Sequence, residues 1–568
     1  MRYTLSFDSP NQQYIEVTLK VKPNSDQMIV RLPSWRPGRY QLGDFAKNVS
    51  NFSVVDQQGK PLSFKKTDKS SWSIACEHTD ELIIHYKYYA AELNAGSTYL
   101  DENQLYVNPV NCMLYVEGYE NQKHMVQLDL PSQWIYAGPL QFTDNHFSAD
   151  NFDELADSPF ICSSQLQYRT YKVANTTFYV WFNGLIFPDW KKLIDDFKRF
   201  SKTQIEKFIE FPTEEYHFLF QILPYKVYHG VEHKRCTVIT LGPSYAVFNE
   251  LYTELLGVSS HELYHTWNVK AIRPADWFPY DFSKENYSEM GYLAEGVTTY
   301  MGDLMLFKSG VFDEKQFFKE LGNQMQKHFD NFGRFNYSVA ASSWDTWLDG
   351  YEIGAPNRKV SIYTEGALLA FVSDVFISKS TDNKKKLDDV MRHLYFDFAQ
   401  QEKGVTEQDY KAVLENVSGS SFDWLFDQYY YGTKAYEGII HDALDYLGLE
   451  LVIEPSEDTA ASELGLKIIS INGVNVVKAI YPGSVSDLAG VMLEDEIIGL
   501  NNIAVTNDFN RWIDFFKNEQ KELTIKRKNQ VIKLMLPELN RTFYKKYRIQ
   551  KVAQPTPTQK RAFDTWKS

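Results

Sequence analysis

The chain has 568 residues and a formal net charge of -15. That length predicts several domains, and the acidity argues against nucleic acid or an anionic membrane surface as the main partner. Aromatic residues make up 15% of the chain, so a lone aromatic carries little functional information.

The N-terminus lacks the long apolar core of a signal peptide, and no apolar run of about 18 residues is present. A cytoplasmic protein without a membrane span is expected. Cys76, Cys112, Cys162 and Cys236 are too scattered for a C-x-x-C site and are expected to be reduced.

Residues 1 to about 168 alternate like half-buried strands: Ile15, Val17, Leu19 and Val21 against Glu16, Thr18 and Lys20, then Ile84, Tyr86 and Tyr88 against His85 and Lys87. An antiparallel β-sandwich is predicted. The stretch Leu32 to Tyr40 carries a Pro-Gly turn flanked by Arg36 and Arg39, and fits either a rigid loop at a sheet edge or a substrate contact. From about 170 the pattern becomes helical, with Trp190, Leu193, Phe197, Phe200 and Ile205 spaced as one face of an amphipathic helix. Tyr216 to Leu223 and Cys236 to Ile239 predict two short strands around the glycine-containing turn of Tyr228 to His233. On spacing alone Glu232 and His233 are expected to be solvated.

The segment His261-Glu262-Leu263-Tyr264-His265 carries the chemistry. Residues four apart on a helix share a face, so the two imidazoles can converge on one ion, and Glu262 stands beside it as a general base. Chance yields this pattern with an expectation of only about 0.03 in such a composition. Leu256, Ser260, Leu263 and Trp267 recur on the opposite face, which can pack while the histidines face a cleft.

A zinc hydrolase needs a third protein ligand. Glu295, on a second helical stretch from Tyr292 to Leu304, is a candidate, with Thr299 and Gly302 small enough for close helix approach; Glu285 and Glu289 are also near. Further helices are predicted to Tyr431, followed by a small β-rich domain over 443 to 540 and a basic tail, 541 to 568, packing back on the body.

Three segments together resemble the glycyl aminopeptidase family of zinc metallopeptidases. They are His261 to Lys270 with Ile272-Arg273-Pro274, Ala294-Glu295-Gly296-Val297-Thr298-Thr299-Tyr300, and the PDZ-like Gly483 to Gly490 with Asp495 to Asn501. Leu32 to Tyr40 is similar to the family's N-terminal signature. The resemblance implies a multidomain α+β fold: an N-terminal antiparallel β-sandwich over 1–168, a thermolysin-like, mainly helical zinc-peptidase domain over 169–440, and a PDZ-like domain over 443–540.

The resemblance also implies one Zn2+ per chain, held by His261, His265 and Glu295. Glu262 would be the catalytic base and Tyr363 the donor to the oxyanion. Gly230, Glu232 and His233 would bind substrate on a strand edging the cleft, with Glu232 pairing with the free α-amino group.

The implied activity is removal of N-terminal glycine or alanine from peptides. A zinc endopeptidase, or a PDZ-type peptide-binding scaffold with a vestigial metal site, are the alternatives. Glu463-Leu464-Gly465-Leu466 would be the loop that captures a peptide carboxylate. Two positions depart from the family pattern: His229 stands where a second glycine is common, and Glu365 where lysine is usual.

Overall fold

A computed structural model describes residues 1–568, which divide into two compact units. Met1–Phe317, Phe332–Leu447 and Pro557–Ser568 form the first, and Phe318–Asn331 with Gly448–Thr556 form the second.

The first unit begins with three sheets. In the six-stranded sheet, Tyr14–Val21 lies between Arg2–Ser6 and Leu82–Tyr89, and buries Ile15, Val17, Leu19 and Val21 as its alternation demands. The sandwich is not wholly antiparallel, because Arg2–Ser6 runs parallel to His124–Leu128. A four-stranded sheet containing Gln27–Arg31 and Ser71–Ala75 shares its core, where Leu19, Val30, Trp72, Ile74 and Ile84 pack together.

The third sheet links two cores. Leu105 and Val107 of strand Gln104–Val107 face the N-terminal core, while Tyr106 faces Trp181, Leu219, Val231 and Val238 on the other side. Alternation along one strand thus serves both.

The next sheet has the order Gln167–Val173, Thr176–Gly184, Glu215–Ile222, Cys236–Gly242, Val227–Glu232. Its inner three strands are parallel and nearly continuously apolar, as expected of strands covered on both faces. Helix Trp190–Phe208 buries Leu193, Phe197, Phe200 and Ile205, and the Asp189 side chain caps it by accepting from the Lys192 amide. Val227–Glu232 is the sheet's edge, and Gly230 lies within it rather than in a turn.

Helices cover this sheet. Tyr252–Tyr264 carries the His-Glu-x-x-His motif and buries Leu256, Ser260 and Leu263, with Trp267 buried just beyond its end. It crosses helix Thr298–Lys308 at Gly302, where a Cβ would lie 3.0 Å from the His261 Cα. The Ser260 hydroxyl donates to the Gly302 carbonyl at 2.7 Å at the same crossing.

The π-helical turn Tyr292–Val297 packs against helix Ile362–Ser380 at a pair of glycines, since a Cβ on Gly296 would meet the Gly366 Cα at 2.3 Å. Neither backbone can yield to a methyl group there. Gly296→Ala is expected to cost about 1–3 kcal/mol or more, read as a lower midpoint in denaturant unfolding. Wild-type stability in that variant would mean the two helices separate more easily than their contact implies. Helix Pro557–Lys567 closes the first unit, with the Trp566 indole donating to Asp374 and Tyr300 at 3.1 and 2.9 Å.

In the second unit, Leu449–Pro455 pairs antiparallel with Lys545–Lys551. A separate antiparallel sheet runs in the order Leu466–Ile471, Val474–Ile480, Glu496–Leu500, Glu522–Arg527, Gln530–Met535. Phe543 completes its core with Leu466, Val477, Ile497 and Ile525. The segment expected to be a single tail is therefore divided, residues 541–556 staying with this unit and the final helix with the first. No helix of the chain is long and apolar enough to cross a membrane.

Candidate active site

The motif helix sets His261 and His265 one turn apart, with their Nε2 atoms 3.0 Å from each other. His265 is oriented from behind: its Nδ1 lies 2.7 Å from the Asn268 carbonyl and donates to it, which turns Nε2 toward the cluster. The Asn268 amide in turn donates to the Leu293 carbonyl at 2.8 Å and to the Thr298 hydroxyl at 3.0 Å, tying the motif to the neighbouring helix.

That neighbour presents Glu295 from its π-helical turn, a local distortion that recurs at functional sites. The Glu295 Oε2 lies 3.4 Å from His265 Nε2 and 3.9 Å from His261 Nε2. Glu285 and Glu289 lie outside the cluster.

The free donors form a coherent set. Two Nε2 atoms and one carboxylate oxygen face a common point, while the other functional atoms of His265 and Glu295 are already engaged, Nδ1 by Asn268 and Oε1 by the Tyr40 hydroxyl at 2.9 Å. Bonds of about 2.0–2.1 Å to a tetrahedral ion hold donors about 3.4 Å apart, so these spacings suit a divalent ion held by two histidines and one glutamate. Tyr40 is the functional residue that motif spacing could not find. It lies in the N-terminal domain, and its only signal was membership of the Leu32–Tyr40 segment.

That loop is therefore more than a sheet-edge brace. Gly38, with φ of +78°, lies so close to Glu232 that a Cβ would sit 2.4 Å from its Oε2. Removing the phenol hydroxyl in Tyr40→Phe is expected to weaken ion affinity about 10–100-fold, the usual effect of losing a partner behind a ligand. Competition with a chelator of known affinity measures it, and unchanged affinity would show that Glu295 needs no support from Tyr40.

A second trio shares the site: Glu232, Glu262 and His265 bring one ligand atom each to within 4.8 Å of one another. Glu232 and His233 are both buried rather than solvated, at 6% and 4% exposure. They point differently. Glu232 faces Glu262, whereas His233 places Nδ1 3.0 Å from Asp157.

Gly230 has a clear role, because a Cβ there would lie 2.2 Å from Glu262 Oε1. Glycine in this strand marks a close approach, not the turn its composition suggested. His229 is half-buried, and burial together with the charges of Arg36 and Arg39 pushes its pKa down to about 3. Tyr363, in the first turn of helix Ile362–Ser380, joins Tyr40, Trp277, Ala294 and Ile362 in an apolar cluster beside Glu295. The helix brings Glu365 to Tyr436 instead, whose phenol pKa is pushed up by burial and then by the Glu365 charge.

Burial shapes the electrostatics. It pushes the Glu262 carboxyl well above the ordinary range, and the charges of Glu232 and Glu295 add to the rise against the opposing pull of His265 and Arg36. Its Oε2 has no hydrogen-bond partner, so this is a carboxylate with raised proton affinity and a free lone pair. Burial acts in the same direction on Glu295 but is overcome by its hydrogen bond and charge pairing with His265, then by His261 and Tyr40, and its pKa falls. Burial and the neighbouring His265 hold His261 down at about 3. Burial also works against the charge on His265, yet Glu295, Glu232 and Glu262 raise it to about 9.

Residues 2–164 match the peptidase M61 N-terminal domain, and residues 254–369 match the M61 glycyl aminopeptidase domain. Two M61 peptidase models thus match the chain, one over the N-terminal domain and one over the motif helix. Both matched segments supply the site, the first with Gly38 and Tyr40 and the second with the motif, Glu295 and Tyr363.

The chain is also similar to a solved aminopeptidase N family protein from Idiomarina loihiensis, with a TM-score of 0.92, 25% identity and 100% of each chain covered. The M1 zinc metallopeptidase from Deinococcus radiodurans aligns with a TM-score of 0.48 and 14% identity over 76% of this chain and 94% of its own. No curated protein sequence matches the chain. The match to the peptidase domain makes the protein a metallopeptidase.

Proposed function

We propose that this protein is a zinc-dependent aminopeptidase of the M61 type that removes small N-terminal residues, glycine or alanine, from peptides. The observation that carries the reading is the second trio, in which Glu232, on the cleft-edge strand, stands with the base Glu262 and the ligand His265. A fixed anion at that place pairs with a substrate's α-ammonium and leaves room for one residue before the scissile bond. Gly38 packed against Glu232 narrows the space around the anchor and favours a small side chain.

His261, His265 and Glu295 would hold a zinc ion, which would supply Lewis acidity and water activation at this place. Glu262 takes the proton from the attacking water and returns it to the leaving amine. The Tyr363 phenol donates to the oxyanion that develops on the scissile carbonyl, and it stays protonated because burial, Glu295, Tyr351, Glu232 and Glu262 all push its pKa far up.

We read the second unit as PDZ-like. Support comes from the exposed edge strand Leu466–Ile471, where Ile469 and Ile471 are about half exposed and a peptide strand could add. The Gly465 amide, expected in the carboxylate loop, donates to the Ala460 carbonyl. Strand addition along the edge is therefore favoured over carboxylate capture.

The test compares hydrolysis of free and N-acetylated glycyl, alanyl and leucyl p-nitroanilides. Turnover confined to the free amines, fastest for glycine and alanine, supports the reading. Cleavage of blocked substrates would establish the endopeptidase instead.

A further inference from the structure

The mechanism leaves a buried ion-pair network behind the amine anchor without a function. Asp157, directly after the short helix Phe152–Ala156 of the N-terminal domain, has both carboxylate oxygens committed. Its Oδ1 accepts from His233 Nδ1 at 3.0 Å and from Lys270 Nζ at 2.8 Å, and its Oδ2 accepts from the Lys234 amide at 2.8 Å.

His233 and Lys234 come directly after Glu232 at the end of the edge strand. Lys270 begins where the motif ends, its backbone amide donating to the His265 carbonyl at 3.0 Å. One carboxylate thus ties the amine anchor to a metal ligand through bonds on each side. It comes from a third segment, 76 residues before His233 and 113 before Lys270.

The network is dry. The Lys270 side chain is 2% exposed and that of His233 5%. Burial opposes charge on Asp157, but Lys270 and then His233 hold its carboxyl well below the usual range. A buried ion pair contributes little net stability compared with apolar packing, and its best-attested use is to fix geometry. No member of the network belongs to either trio of converging ligand atoms, so its contribution runs through the groups that do.

Taking Glu232 as the amine anchor proposed above, we propose that Asp157 is a positioning residue. By clamping His233 and Lys270 together, it sets the distance between the Glu232 carboxylate and the reacting centre, and with it the register in which a free N-terminus is held.

The test is a double-mutant cycle on the full-length zinc-loaded enzyme with alanyl-p-nitroanilide, using Asp157→Asn, Glu232→Gln and the double variant. Asp157→Asn is expected to raise KM about 10–100-fold with kcat and zinc content nearly unchanged, and Lys270→Arg to keep KM close to wild type. The double variant should bind no worse than Glu232→Gln alone, because a displaced anchor and an absent anchor lose the same interaction.

Additive losses in the double variant, or a wild-type KM for Asp157→Asn beside a raised KM for Glu232→Gln, overturn the clamp alone. An unchanged KM for Glu232→Gln overturns the amine-anchor reading and the clamp built on it. Should Asp157→Asn fail to fold, His233→Gln loosens a single arm and carries the same expectations.

Discussion

Glu262→Gln is expected to lower kcat by about 10²–10⁴ while leaving the fold and the ion content intact. The substitution keeps the shape of the side chain and removes its ability to accept a proton. The site depends on that ability: burial has raised the proton affinity of Glu262, and its Oε2 faces no competing donor. The bare Gly230 backbone that lets the carboxylate lie close will equally admit the amide. Metal analysis alongside steady-state kinetics separates loss of the base from loss of the ion. Retention of more than a tenth of the activity in a fully loaded variant would remove Glu262 from the role.

Chelation should have an effect at least as large. Lewis acidity and water activation are worth several kcal/mol in the transition state, so the stripped enzyme is expected to fall below about a thousandth of the original rate and to recover on adding zinc. Stability should track the ion as well. A ligand present at a hundred times its dissociation constant stabilises the folded chain by about 2.7 kcal/mol, so Tm should drop with chelator and climb with added zinc. The buried acids give a structural reason, since Glu232, Glu262 and Glu295 crowd the same pocket and repel one another once the cation leaves. His265→Ala should match the chelated enzyme and resist zinc rescue. Rescue at low zinc would mean the remaining residues suffice to hold the ion.

The sequence alone determined the chemistry that is local in the chain. Four-residue spacing on a helix puts His261 and His265 on one face whatever surrounds them, and the place of Glu262 comes from adjacency. Two-residue alternation likewise dictated which side of Tyr14–Val21 is buried. On spacing alone Glu295 was one candidate among several acids, which only the family resemblance singled out; the π-helical turn and the glycine crossings bring its Oε2 to the two imidazoles.

Tertiary structure decided everything whose partners lie far apart in the chain. Tyr40 reaches Glu295 across 255 residues, Asp157 reaches Lys270 across 113, and neither separation leaves a periodic trace. Glu232 and His233 looked like solvated residues because composition cannot tell an exposed strand end from one roofed by a distant loop. Gly230 looked like a turn for the same reason, as an absent side chain signals freedom locally and close approach only when the approaching group is known. Periodicity reports which face of an element is buried, but only the fold supplies what it is buried against, and here that is the substance of the active site.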